Sequence, residues 1–172
     1  MIAIKEIVEQ DKKSYHANEI LRALPEWFGI EESLVDYVNQ VKELPFLVAI
    51  SSRDDEGANP AKCSIPSDDK EVGFLAIKIH NAVTAEIFVM GVLKENHRKG
   101  IGKMLVDSCV EYCRVKELEF LTVKTLDESN PDKNYAKTRE FYLREGFKPL
   151  EVFPLLWDKS NPCLFMVKRI EL

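Results

Sequence analysis

Apolar and polar positions alternate from Met1 to Ile7, the pattern of an edge strand with one buried face. The period then lengthens. From about Ser14 to Leu24 the spacing predicts a helix with Ile20, Leu21 and Leu24 on one face, stopped by Pro25. A second helix is predicted from near Glu31, with Leu34, Val35, Val38 and Val41 in step. The connection Pro25-Glu26-Trp27-Phe28-Gly29-Ile30 carries two adjacent aromatics. Phe46 to Ser51 reads as a short strand, and the polar stretch Arg53 to Lys70, with Gly57, Pro60 and Pro66, as a surface loop. Glu71 to Ile79 and Ala82 to Leu93 are apolar runs separated by His80-Asn81. They read as a hairpin whose strands, apolar on both faces, are covered on both sides.

Gly100 to Lys116 has the helical period, with Ile101, Met104, Leu105, Cys109, Tyr112 and Cys113 as its buried stripe. Phe120 to Leu126 is β-rich. Tyr135 to Glu145 is the last helix, with Thr138, Phe141 and Tyr142 on one face and Gly146 as its stop. Phe147 to Phe153 and Cys163 to Ile170 are the final strands. The order β-αα-βββ-α-β-α-ββ contains no internal repeat. It predicts one α/β (α+β) domain over residues 1–172, with a mixed, mostly antiparallel sheet flanked by helices.

Composition narrows the function. The net charge of −5 is spread rather than blocked, without the basic footprint of a nucleic-acid partner. No stretch comes near the roughly 18 apolar residues of a membrane span. The start MIAIKEIVEQDKK lacks the apolar run of a signal peptide, so a cytoplasmic location is expected. Cys63, Cys109, Cys113 and Cys163 form no paired CxxC units, and His16, His80 and His97 are scattered, so no metal site is expected.

Chemistry concentrates at Val92-Leu93-Lys94-Glu95-Asn96-His97-Arg98-Lys99-Gly100-Ile101-Gly102-Lys103, between a strand and a helix. Glycines at 100 and 102 let backbone approach a ligand closely. The free N–H groups of the next helix and its dipole make an anion site there. Arg98, Lys99 and Lys103 add positive charge, so a pyrophosphate fits. A Walker A loop is excluded by His97 and Met104, and a Rossmann fingerprint by Leu105. Glu86 is the odd residue of its strand, among Ala85, Ile87, Phe88 and Val89. A carboxylate is costly to bury there unless paired, and an ion pair with Lys124 is the plain structural reading. Tyr142 on spacing alone reads as a core aromatic, and Trp27, Phe28 and Trp157 as anchors of loops.

His97 to Gly102 resembles the Arg/Gln-x-x-Gly-x-Gly/Ala turn of GNAT acetyltransferases, with His97 in place of Arg or Gln and Arg98 where many members have glycine. Phe141-Tyr142-Leu143-Arg144-Glu145-Gly146-Phe147 is similar to the family's Phe-Tyr-x-x-x-Gly-Phe, although its frequent upstream Asn is Tyr135 here, with Asn134 adjacent. The element order extends the resemblance over nearly the whole chain.

The resemblance implies acetyl-coenzyme A as cosubstrate, no metal, and direct attack by an amine without a covalent enzyme intermediate. The pyrophosphate would lie on His97, Arg98, Lys99, Gly100, Ile101, Gly102 and Lys103. The pantetheine arm would pair with the backbone of Met90, Gly91 and Val92, where the fourth and fifth strands splay, and a backbone N–H there would hold the oxyanion. Tyr142 would be the general acid and Glu86 the general base. Trp27, Phe28 and Trp157 would border the acceptor, with Glu26 or Asp158 as acidic groups at the rim favouring a cationic or aromatic-bearing amine. The acceptor stays open among polyamine, antibiotic, amino acid, protein N-terminus and lysine, and dimers are common in the family. The alternative function is an acyl-CoA-binding sensor without turnover, suggested by His97.

Overall fold

The computed structural model describes residues 1–52 and 70–171. The loop expected at Arg53 to Lys70, and Cys63 with it, lies outside the described residues except for Lys70. The strands are β1 (Ile2–Ile7), β2 (Phe46–Ser51), β3 (Lys70–Ile79), β4 (Thr84–Val92), β5 (Phe120–Leu126), β6 (Lys148–Asp158) and β7 (Asn161–Arg169). The helices are α1 (Gln10–Arg22), α2 (Glu31–Gln40), α3 (Ile101–Val115) and α4 (Lys133–Arg144). The sheet runs β1-β2-β3-β4-β5-β7-β6, antiparallel except where β4 meets β5. The fold is the expected single α/β domain with a mixed, mostly antiparallel sheet. No helix among the described residues is long and apolar enough to cross a membrane.

Alternation along the central strands builds two cores. Phe46, Val48, Phe74 and Ala76 face α1 and α2, where Phe46 and Phe74 stack with ring centroids 5.0 Å apart. Leu47, Ala49, Leu75 and Ile77 face α3 and join Leu105, Cys109, Cys113, Tyr142 and Phe147. Val106 and Val110 complete the buried stripe of α3, whereas Met104 and Tyr112 are half-buried at its margin. α1 starts earlier than its apolar spacing indicates because its first turn is polar. Lys13 there is buried, and its ammonium reaches the carbonyls of Lys42 and Leu44. α4 also starts early: Asp132 caps it by accepting from the N–H groups of Asn134 and Tyr135. Gly146 closes it at φ +86°, in the left-handed region, as expected.

One irregularity shapes the site. Ala76 pairs with Val89, but Ile77 pairs with Ile87, leaving Phe88 as an extra residue in β4. The side-chain parity records the bulge: Ala85 and Ile87 point into the α3 core and Val89 into the α1 core. A bulge bends its strand. The parallel pairing of β4 with β5 ends at Ile87 and Val123, so the rest of both strands diverges.

Candidate active site

The split between β4 and β5 opens into a cleft of about 790 Å³, within the usual size range of small-molecule sites. The N-terminus of α3, the face of α4 and the α1–α2 connection complete its walls. Leu93 N–H donates to the Val72 carbonyl, on the β3 side. By alternation, Met90 and Val92 turn their N–H and C=O groups toward the split, where β5 no longer takes them. Thr125 of β5 also lines the split, and its hydroxyl oxygen is buried without a partner among the described residues. An orphaned buried hydroxyl opposite a free strand edge fits an extended ligand that carries amides.

The strand-to-helix turn has Arg98 at φ 61° and Gly100 at φ 79°. Gly100 is the N-cap of α3, and Met104 N–H is the first to fold back onto its carbonyl, at 3.0 Å. Among the described residues the N–H groups of Ile101, Gly102 and Lys103 stay free at the positive end of a fifteen-residue helix. Gly100 is needed for its left-handed conformation. At Gly102 a Cβ would stand 3.2 Å from the Phe141 ring, which itself lines the cleft, so a larger residue must shift that ring by a few tenths of an ångström. Arg98 and Lys103 line the cleft, while Lys99 is exposed outside it. Lys103 is shared with Asp107, which holds its ammonium above the usual lysine range.

His97 does not extend toward a phosphate. Its Nε2 lies 2.7 Å from the Val92 carbonyl. A carbonyl only accepts, so that nitrogen carries the proton. The imidazole thereby ties the end of β4 to the turn.

Trp27 crosses the cleft mouth. Its ring packs edge-on to His97, its Nε1–H donates to Thr138 Oγ1 at 3.1 Å, and its carbonyl accepts from the Tyr135 hydroxyl at 2.9 Å. Glu26 beside it pairs with Lys94. The α1–α2 connection is thus fastened to both the turn and α4. Burial pushes the Tyr135 phenol up to about 12, so it stays a donor. Trp27, expected beside the acceptor, lines the cleft as part of a strap fastened next to the turn. Trp27→Ala should therefore raise the acetyl-CoA Kd by roughly tenfold, about 1.4 kcal/mol. Calorimetric titration that finds the parental Kd would detach the strap from cofactor binding.

Tyr142 is 6% exposed, packs edge-on to Phe141 and Phe147, and lines the cleft. Its hydroxyl has no hydrogen-bond partner among the described residues. Burial drives its pKa far above that of a free phenol, so it is neutral at any physiological pH. Glu86 is elsewhere. It is 5% exposed and does not line the cleft. Its Oε1 accepts from Lys124 Nζ at 2.8 Å, and its Oε2 lies 2.5 Å from His80 Nε2. Both oxygens are engaged, so Glu86 is ion-paired in this structure.

The other half of the cleft is aromatic. Phe28, Tyr37, Phe88 and Trp157 line it together with Lys124. Phe28 packs edge-on to Tyr37, and Tyr37 to Phe88. Trp157 lies in β6 rather than in a loop, because β6 runs on to Asp158 through an irregular stretch after Phe153. The acidic rim expected from Glu26 and Asp158 is not available. Glu26 is held by Lys94, and Asp158 accepts from the N–H groups of Ser160 and Asn161 and from the Asn161 amide. Tyr37, Lys124, Tyr135 and Thr138 line the cleft without having been expected there. Lys124 carried a signal as the expected partner of Glu86, Thr138 as a residue on the same helix face as Tyr142, and Tyr135 as the residue standing where the family often has Asn.

By sequence, no curated protein matches the chain. Solved structures match it over nearly its full length. A protein assigned to the GNAT acetyltransferase family from Desulfovibrio desulfuricans superposes with TM-score 0.76 at 15% identity, over 99% of this chain and 100% of that one. The ribosomal-protein-S18-alanine N-acetyltransferase of Escherichia coli gives 0.68 at 14%, over 100% and 96%. An aminoglycoside 6'-N-acetyltransferase complexed with coenzyme A gives 0.68 at 17%, over 99% and 98%. At such identities the likeness is one of fold. Residues 62–149, just over half of the chain, match the family model described as acetyltransferase (GNAT) domain. The chain belongs to the GNAT acetyltransferase family.

Proposed function

We propose that the protein transfers an acetyl group from acetyl-CoA to a primary amine by direct attack. The observation that carries this reading is the open β4–β5 split that ends on the free N-terminus of α3. An acyl thioester on a long amide-bearing arm with a pyrophosphate matches both features. The N–H groups of Ile101, Gly102 and Lys103, with Arg98, would hold the pyrophosphate. The strand edge at Met90 and Val92, with Thr125 opposite, would hold the arm, and Trp27 would cover it.

A neutral amine attacks the thioester carbon from the aromatic half. An N–H at Met90 or Val92 receives the charge that develops on the carbonyl oxygen. Tyr142 gives its proton to the departing thiolate. Glu86 is buried behind Lys124, so we assign removal of the amine proton to water entering at the cleft mouth. Nothing in the geometry favours a sensor without turnover, because His97, its only support, serves to pin the turn.

The test is release of coenzyme A from acetyl-CoA with a panel of amines, beside thermal unfolding. Acetyl-CoA at a hundred times its Kd should stabilise the fold by about 2.7 kcal/mol and raise Tm by about 5–10 °C. Gly102→Val, which displaces Phe141 and crowds the turn, should abolish that shift. A full shift in Gly102→Val removes the turn from cofactor binding. No coenzyme A release with any amine removes the transfer reading.

A further inference from the structure

On the reading of the cleft as an acetyl-transfer site, we propose that the acceptor is a primary amine with an aromatic body that carries a carboxylate, and that Lys124 receives this carboxylate. Phe28, Tyr37, Phe88 and Trp157 give the acceptor half its ring-lined walls, with Trp157 44% exposed at the edge. Such walls favour a flat, apolar body.

Lys124 lines the same cleft. Its side chain is 30% exposed, stands over the Phe165 ring at 5.7 Å, and is held by Glu86. An ammonium has three N–H donors. Among the described residues one of them is used, on Glu86 Oε1. Glu86 in turn is braced by His80 and fixes the position of the ammonium.

The surrounding charge favours an anion. Lys78 is the cross-strand partner of Glu86 and stands over the Phe88 ring at 5.3 Å. Residues directly opposite in a sheet share a face. Two ammonium groups therefore face one carboxylate before His80 is counted. The carboxylates that line the cleft are Glu140, on α4, and Glu145, the residue that caps its C-terminus, and Glu145 lies 4.0 Å from Lys103, at the turn. Glu26 and Asp158 are already engaged. A polyamine would find no free carboxylate in the acceptor half among the described residues.

The experiment compares L-phenylalanine, phenethylamine and spermidine in the coenzyme A release assay. It also titrates N-acetylphenylalanine and N-acetylphenethylamine into protein saturated with coenzyme A, which reads the subsite without turnover. One charge-assisted hydrogen bond predicts a preference of roughly 10- to 100-fold for the carboxylate-bearing member of each pair. Lys124→Met should erase the preference and Lys124→Arg should keep most of it, with acetyl-CoA affinity unchanged in both. The double variant Glu86→Gln/Lys124→Met removes both charges of the pair and should lose the preference like Lys124→Met. Equal handling of phenylalanine and phenethylamine by the parent protein, a preference for spermidine, or a preference that survives Lys124→Met overturns the proposal. Coenzyme A release without a carboxylate preference keeps the transfer reading and rejects the subsite. Selective binding of N-acetylphenylalanine without release from any amine does the reverse.

Discussion

Tyr142→Phe is expected to lower kcat by roughly 100-fold or more and to leave acetyl-CoA affinity within about twofold. The substitution keeps the ring and so keeps its packing on Phe141 and Phe147 in the α3 core. It removes only the hydroxyl, which meets no protein partner among the described residues and lines the cleft. A buried hydroxyl is normally bonded. One left free at the wall of a site is available to a substrate atom. Burial keeps the group protonated until the thiolate leaves and at the same time makes it a weaker acid, so the assignment rests on its place at the cleft wall and not on its pKa. Stability should change little or rise, since no hydrogen bond is broken. Single-turnover measurements should accompany kcat, so that product release does not hide the chemical step. Full parental rate in the single turnover would end the acid assignment and leave Tyr142 as a core aromatic.

The sequence carries the order of elements because each follows a simple period. β3 and β4 are apolar on both faces, and like β2 they have helices packed on each side. The turn around Gly100 was equally legible, since φ +79° calls for glycine and a helix follows at once. The bulge at Phe88 was not. Val89 is as apolar as Ile87, and only the register with β3 shows that they face opposite cores. The splay was expected from family resemblance, and its cause lies in that register. The strap was also out of reach, because Trp27 and Thr138 are 111 positions apart and nothing local marks them as partners. Gly102 carries a constraint that its motif does not show: a Cβ there would stand 3.2 Å from the Phe141 ring.

Glu86 shows how a correct observation supports two roles until geometry separates them. A carboxylate among Ala85, Ile87 and Val89 must be paired or must work, and here both of its oxygens are occupied by His80 and Lys124. Glu86→Leu is therefore expected to destabilise the protein by about 3 kcal/mol, measured by urea unfolding. It leaves the Lys124 ammonium and the His80 ring without their partner, and breaking a buried pair costs roughly 3–5 kcal/mol, with the partial exposure of Lys124 drawing the value toward the low end. Lys124→Met alone should also destabilise, because it strips an interior carboxylate of a counter-charge. The double variant Glu86→Leu/Lys124→Met should be less destabilised than the two single effects added, by about 1–3 kcal/mol, since it replaces an ion pair with apolar contact beside Phe165. Strict additivity would mean that His80 alone carries the burial of Glu86 and that Lys124 is free to act by itself. The same variants separate structure from proton transfer. With water as the base, Glu86→Gln should keep the acidic limb of its pH–rate profile where the parent has it. A limb that vanishes in Glu86→Gln, in a protein still folded and still binding acetyl-CoA, would return Glu86 to the chemistry and require the His80 contact to open during turnover.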